Sequence, residues 1–114
     1  MSVLVFLEHH EGQLQKGSLG VLSKAAGLGA GGVSGVILGS AIEGLEAEAG
    51  RYGAAIVYVA DDEKLAAPLP QPRVDAIAQL VEEQGIESVL FAQSILSADI
   101  AAALAARLDA GLNW

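Results

Sequence analysis

Apolar residues in this chain fall into four runs, Val3 to Leu7, Val33 to Leu38, Ala55 to Ala60 and Val89 to Ala92, with Ala/Leu-rich helical stretches between them. The first run is continuously apolar rather than alternating, which is what a strand covered by helices on both faces requires. Strand and helix in strict alternation predict an α/β fold: a three-layer, open, parallel sheet of the Rossmann-like kind. Crossovers between parallel strands are right-handed, and a reversal after the third strand sets the first and fourth side by side, so the expected strand order is 3-2-1-4. Ligands of such sheets gather where strand carboxyl ends splay apart. The candidate crevice or partner interface is therefore Glu8, His9 and His10 on one side and Gln93, Ser94, Ile95, Leu96, Ser97 and Asp99 on the other.

Length and composition limit what such a sheet can do. The 114 residues make one domain, 53% of them apolar. A chain of this size buries roughly 65% of its unfolded surface, so a core can form without a disulfide or metal. There is no cysteine, which excludes thiol redox chemistry. A formal net charge of −8 with six scattered basic residues argues against nucleic acid or an anionic membrane surface as partner. No apolar run approaches the roughly 18 residues of a membrane helix, and Val3 to Leu7 is too short for a signal-peptide core. The chain reads as soluble and not secreted, with no internal linker, repeat or low-complexity tract.

Local signals place the helices. Ser18 is a cap candidate for a helix running to about Ala26, with Leu19, Leu22 and Ala26 at helical spacing. Gly27, Gly29 and Gly32 satisfy G-x-G-x-x-G, but the fingerprint works only between a strand and the following helix; here the order is reversed, which fits a helix stop and chain reversal. Ser40 and Glu43 form a capping-box pattern for a helix to about Tyr52, ended by Gly53. Pro72 suits the first turn of a helix ending near Gln84 and Gly85, striped by Val74, Ile77, Ala78 and Val81. A turn over Ser94 to Asp99 then leads to a helix over Ile100 to Leu108, with Gly111 as its cap and Asn113-Trp114 as the approach to a further element.

Chemistry-bearing residues are sparse. His9 and His10 are the only histidines, and neighbours on a strand point to opposite faces, so they cannot chelate one ion without a bend. They read as loop or interface residues. Asp61-Asp62-Glu63 reads as a solvated acidic face rather than a divalent-ion site. Gly39-Ser40 stands where a dinucleotide site would want an acidic residue for a ribose. None of the serines sits in a G-x-S-x-G elbow. Most aromatics fall within the elements as core, and they are too separated for a stacking platform. No enzyme mechanism assembles, and no catalytic, metal or cofactor-binding residue is assigned.

Taken in order, Val3 to His9 with Gly12 and Leu14, Leu22, Ala25-Ala26, Gly39 and Tyr52-Gly53-Ala54 resemble the N-terminal domain of the electron transfer flavoprotein alpha subunit. Val89-Leu90-Phe91-Ala92, Asp99-Ile100-Ala101 and Leu104 to Leu112 look like that family's last strand and helix, although Ser97-Ala98 stand where the family tends to carry Gly-Arg before the aspartate. The resemblance implies the adenine nucleotide alpha hydrolase-like variant of the fold, used as scaffold. It implies a heterodimer with an electron transfer flavoprotein beta subunit that takes electrons from flavoprotein dehydrogenases, including the acyl-CoA dehydrogenases of fatty acid beta-oxidation. It passes them toward a membrane quinone reductase and the respiratory chain. The compartment so implied is the bacterial cytoplasm or the mitochondrial matrix.

In that family FAD is held by a C-terminal domain, so the chain is expected to bind none itself and to be a fragment, a shortened form or a natural stand-alone piece. A shortened sheet leaves the Val89 to Ala92 edge open, and self-association follows as an expectation. The alternative reading is a small nucleotide-binding stress or signalling protein of the same fold. Such relatives use a Gly-rich loop after the fourth strand to cradle phosphates, and Gln93 to Arg107 contains no glycine.

Overall fold

A computed structural model describes residues 2–28, 32–67 and 69–108. Its main sheet is built from β1 (Val3–Phe6), β4 (Val33–Gly39), β5 (Ile56–Asp61) and β6 (Ser88–Phe91), all parallel, in the order β5-β4-β1-β6. Numbered by the sequence runs this is third, second, first, fourth, with the first strand inside the sheet. A small antiparallel hairpin, β2 (His9–His10) and β3 (Gln13–Leu14), follows β1.

Side chains along β1 alternate between two cores. Val3, Val5 and Leu7 join Leu19, Leu22 and Ala25 of α1 (Lys16–Gly27) and Leu45 and Ala49 of α2 (Leu45–Arg51). Leu4 and Phe6 face the other way, against Val74, Ile77 and Ala78 of α3 (Pro70–Gln84) and Ile100 and Leu104 of α4 (Ile95–Arg107). Both faces of β1 are thus dry, which is why its sequence does not alternate. The result is the expected three layers. The chain steps from β1 to β4 to β5 over one face, then crosses the other face to β6, so the direction of winding reverses between β1 and β6.

Several element boundaries differ from the sequence expectation, each for a tertiary reason. Ser18 caps nothing: α1 starts at Lys16, and the Ser18 hydroxyl is buried and accepts the Glu8 N–H at 3.0 Å. The Ser40/Glu43 capping box does not form. The Asp61 carboxylate accepts the Ala41 and Ile42 N–H groups at 2.9 and 3.2 Å, Ala41 is held at φ 55°, and α2 waits until Leu45 after left-handed Gly44. Asp61, Asp62 and Glu63 are all exposed, as expected of a solvated face; in addition Asp61 bridges β5 to the β4–α2 loop, and Asp62 caps the short 3-10 turn Glu63–Leu65 by accepting the Lys64 N–H. Pro70, ahead of Pro72, opens α3, whose left-handed cap is Gly85. Ser94 to Asp99 is not a turn. Ser94 caps α4 by accepting the Ser97 N–H, and the helix covers Ile95 onward.

Gly27 ends α1 and Gly32 lies just before β4 with φ 106°, while the Gly29 to Gly31 stretch of the glycine-rich connection is outside the described residues. The readings of Gly111, Asn113 and Trp114 also lie outside them. Among the described residues no helix is long and apolar enough to cross a membrane.

Candidate functional site

The carboxyl ends of β1 and β6 converge on Glu8. Its backbone is held from two directions: the N–H donates to Ser18 of α1, and the carbonyl accepts the Gln15 N–H at 2.8 Å from beyond the hairpin. Its carboxylate Oε1 accepts the Ser94 and Ser97 hydroxyls of α4, at 2.6 and 3.1 Å. One residue thus joins β1, α1 and the start of α4. The first N–H groups of a helix lack intrahelical partners and carry a partial positive charge. A carboxylate bonded to the hydroxyls of the first turn lies at the end of the helix where that charge favours it.

His9 and His10 are separated by the pleat of the hairpin strand. His9 Nε2 lies 2.8 Å from the Leu38 carbonyl, so that nitrogen carries the proton. Its ring passes so close to Gly39 that a Cβ there would sit 2.5 Å from Nε2. His10 points outward and pairs at 3.7 Å with Glu11. The turn between them and β3 is Glu11-Gly12, both at positive φ, the geometry of a tight two-residue hairpin. An X-Gly pair after a strand was the signal that could have shown this hairpin in the sequence.

A cavity of about 290 Å³ opens beside Glu8, walled by Phe6, Leu38, Leu65 and Leu96 and bordered by the two histidines and Arg73. Arg73 on α3 is only 4% exposed. Its guanidinium donates to three carbonyls: Nη1 to Ala67 at 2.9 Å and Leu69 at 3.1 Å, and Nη2 to Leu65 at 2.9 Å. Burial pushes its pKa below the ordinary arginine range, and the Glu8 charge acts in the opposite direction. Sequence reasoning passed over Arg73, because nothing local distinguishes it from any polar residue in the first turns of a helix.

Of the nine residues placed at the crevice from sequence, Glu8, Ser94 and Ser97 are hydrogen-bonded together, and His9, His10 and Leu96 line the adjoining cavity. Gln93, Ile95 and Asp99 are exposed, with Ile95 87% accessible. Among the described residues no group of three His, Asp or Glu side chains is arranged to hold a metal ion.

Comparison with known proteins fits this architecture to a family. The family description that matches is "Electron transfer flavoprotein domain", over residues 3–113. The chain belongs to that family. It is 40% identical to the electron transfer flavoprotein subunit alpha of Mycobacterium tuberculosis, covering 96% of this chain and 35% of that protein. It is 32% identical to the subunit of the same name from Syntrophomonas wolfei, covering 95% of this chain and 34% of the relative, and 37% identical to that of Mycobacterium leprae. The chain thus spans about a third of the length of these curated relatives.

A flavoprotein family implies a flavin dinucleotide, whose pyrophosphate would need helix-terminal amides or free cationic groups. At the β1/β6 crevice the Ser94 and Ser97 hydroxyls at the start of α4 already donate to the Glu8 carboxylate, the Ser97 N–H donates to Ser94, and the Arg73 Nη1 and Nη2 groups are engaged by backbone carbonyls. The residues of this crevice do not fit a pyrophosphate.

Proposed function

We propose that this domain is the structural and subunit-interaction part of an electron transfer flavoprotein alpha subunit, docking against a beta subunit and leaving flavin binding to other parts of the assembly. The observation that carries this reading is the match to the family over residues 3–113, combined with a crevice whose polar groups are already satisfied within the chain. In this role the two dry cores keep the sheet rigid, and the exposed rim at the strand ends, including Ile95 and Leu69, supplies contact surface. The complete protein would carry electrons from flavoprotein dehydrogenases, acyl-CoA dehydrogenases among them, toward a quinone reductase and the respiratory chain. FAD would be held outside residues 3–113, and the setting would be the bacterial cytoplasm or its mitochondrial equivalent.

Mixing the purified chain with a purified electron transfer flavoprotein beta subunit tests the proposal. A stoichiometric complex on size exclusion, with the chain alone colourless after desalting, is the expected result. Absence of any complex at micromolar concentration overturns the docking role, and stoichiometric flavin absorbance in the chain alone overturns the assignment of FAD elsewhere.

A further inference from the structure

Polar groups around the cavity of about 290 Å³ find their partners inside the chain. His9 Nε2 donates to the Leu38 carbonyl, Arg73 to three loop carbonyls, and Glu8 Oε1 accepts two serine hydroxyls. What the cavity still offers an occupant is its apolar wall, Phe6, Leu38, Leu65 and Leu96. Its volume lies at the lower bound of small-molecule pockets, about 300 Å³, a space that one large side chain fills. Exposed apolar residues extend the wall outward. Ile95, 87% accessible, precedes Leu96, and Leu69, 55% accessible, is held through its carbonyl by Arg73.

Around this mouth the exposed charge is mostly of one sign. The connections from β1, β4 and β5 to the helices that follow carry exposed Glu11, Glu43, Asp62 and Glu63, with Lys64 the one exposed cation among their described residues and Lys16 following at the start of α1. We propose that the cavity is the anchor pocket of the subunit interface, taking one aromatic side chain of the partner protein flanked by lysine or arginine residues that pair with the acidic connections, an assignment that rests on the subunit-docking reading above. An aromatic ring suits the wall because Phe6, with Phe91 at a centroid distance of 5.6 Å behind it, offers a ring to pack against. A buried anchor inside a charged rim is the arrangement in which a few side chains carry most of the binding energy. Rim charge of opposite sign steers the two surfaces together. A second copy of this chain is disfavoured on this face, since it brings the same acidic connections.

Ala66 lines the cavity and is itself exposed, so Ala66→Trp fills the mouth without removing a core residue. Ile95→Asp removes the apolar lip and carries the test should the tryptophan variant fail to fold. Glu11→Lys combined with Glu63→Lys reverses charge at the mouth. Glu82→Lys combined with Glu83→Lys, in the last turn of α3 at the opposite end of the sheet, makes the same change of net charge and is the control. Titration calorimetry against a purified electron transfer flavoprotein beta subunit, at low and at high salt with circular dichroism to confirm folding, reads the outcome. The two cavity variants are expected to weaken binding at least about tenfold at both salt concentrations. The Glu11/Glu63 pair is expected to weaken it at least about tenfold at low salt, with the loss shrinking at high salt. The control pair stays within about threefold of wild type. A wild-type complex that the folded cavity variants, or the Glu11/Glu63 pair, leave within about threefold overturns the anchor pocket while the docking reading stands. So does an equal loss in the control pair, which would make the effect one of net charge. Absence of any wild-type complex overturns both.

Discussion

Gly39 and His9 are one unit at the residue scale, since the imidazole reaches the Leu38 carbonyl across a position where a side chain cannot stand. A Cβ at Gly39 would also lie 3.0 Å from Ile42 Cγ2. Gly39→Ala is expected to lower unfolding free energy by about 1–3 kcal/mol, the usual range for overpacking. Adding His9→Ala should restore part of that loss in denaturant titrations, and strictly additive effects would show that the two do not share the space. Arg73 makes a second such unit with the loop before α3. An ammonium cannot present the planar fork that reaches Leu65, Ala67 and Leu69 together. Arg73→Lys is therefore expected to cost about 1–3 kcal/mol at unchanged denaturant slope, and a loss below a few tenths would mean that the loop does not depend on those bonds.

Elements in this domain are held in register by carboxylates that bridge from one strand end to the next connection. Asp61 at the end of β5 takes the Ala41 and Ile42 N–H groups, and so fixes the route from β4 into α2. Asp61→Ala should leave the sheet intact and raise hydrogen exchange of those two amides by at least about tenfold, the signature of local opening rather than global unfolding. Unchanged exchange there would assign their protection to something else. Ala41 holds φ 55° in the same loop, a conformation that costs an L-residue about 1–2 kcal/mol. Ala41→Gly should remove that strain, and after the entropic cost of glycine the net gain is expected to be up to about 1 kcal/mol in thermal or denaturant unfolding.

On the scale of the whole molecule, the sheet has two outer strands, β5 and β6, and among the described residues neither pairs on its outer side. Leu90 of β6 and Ile56 and Val59 of β5 add exposed apolar surface beside those edges. Open edges of this kind pair with other chains unless charge or a covering element prevents it. The net charge of −8 opposes self-association through long-range repulsion, and salt screens that repulsion over about 10 Å at 0.1 M. Sedimentation at micromolar concentration is therefore expected to show dimers or larger species that increase with salt, and Leu90→Lys should shift them toward monomer. A strictly monomeric chain whose β6 amides exchange slowly would show that this edge is already protected.

Burial was legible in the sequence because its cause is local: a strand dry on both faces must be apolar at every position, as Val3 to Leu7 is, and a covering helix must carry a stripe, as Val74, Ile77 and Ala78 do. From those patterns came the α/β class, the four strands of the main sheet, the existence of the four covering helices and the central place of the first strand, but not the β2–β3 hairpin. Capping patterns were less informative. A side chain that could cap its own helix was outcompeted by a partner from elsewhere, Asp61 at Ala41 and Ile42, and Glu8 at Ser18. The interior of the crevice was decided only by tertiary structure. Glu8 meets Ser94 and Ser97 from far along the chain, and His9 meets Leu38, because the strand order brings those ends together. Arg73 is buried because the carbonyls of the preceding loop fold back onto it. Hydrogen bonds of this kind depend on which strand ends become neighbours, and no local period in a sequence encodes that.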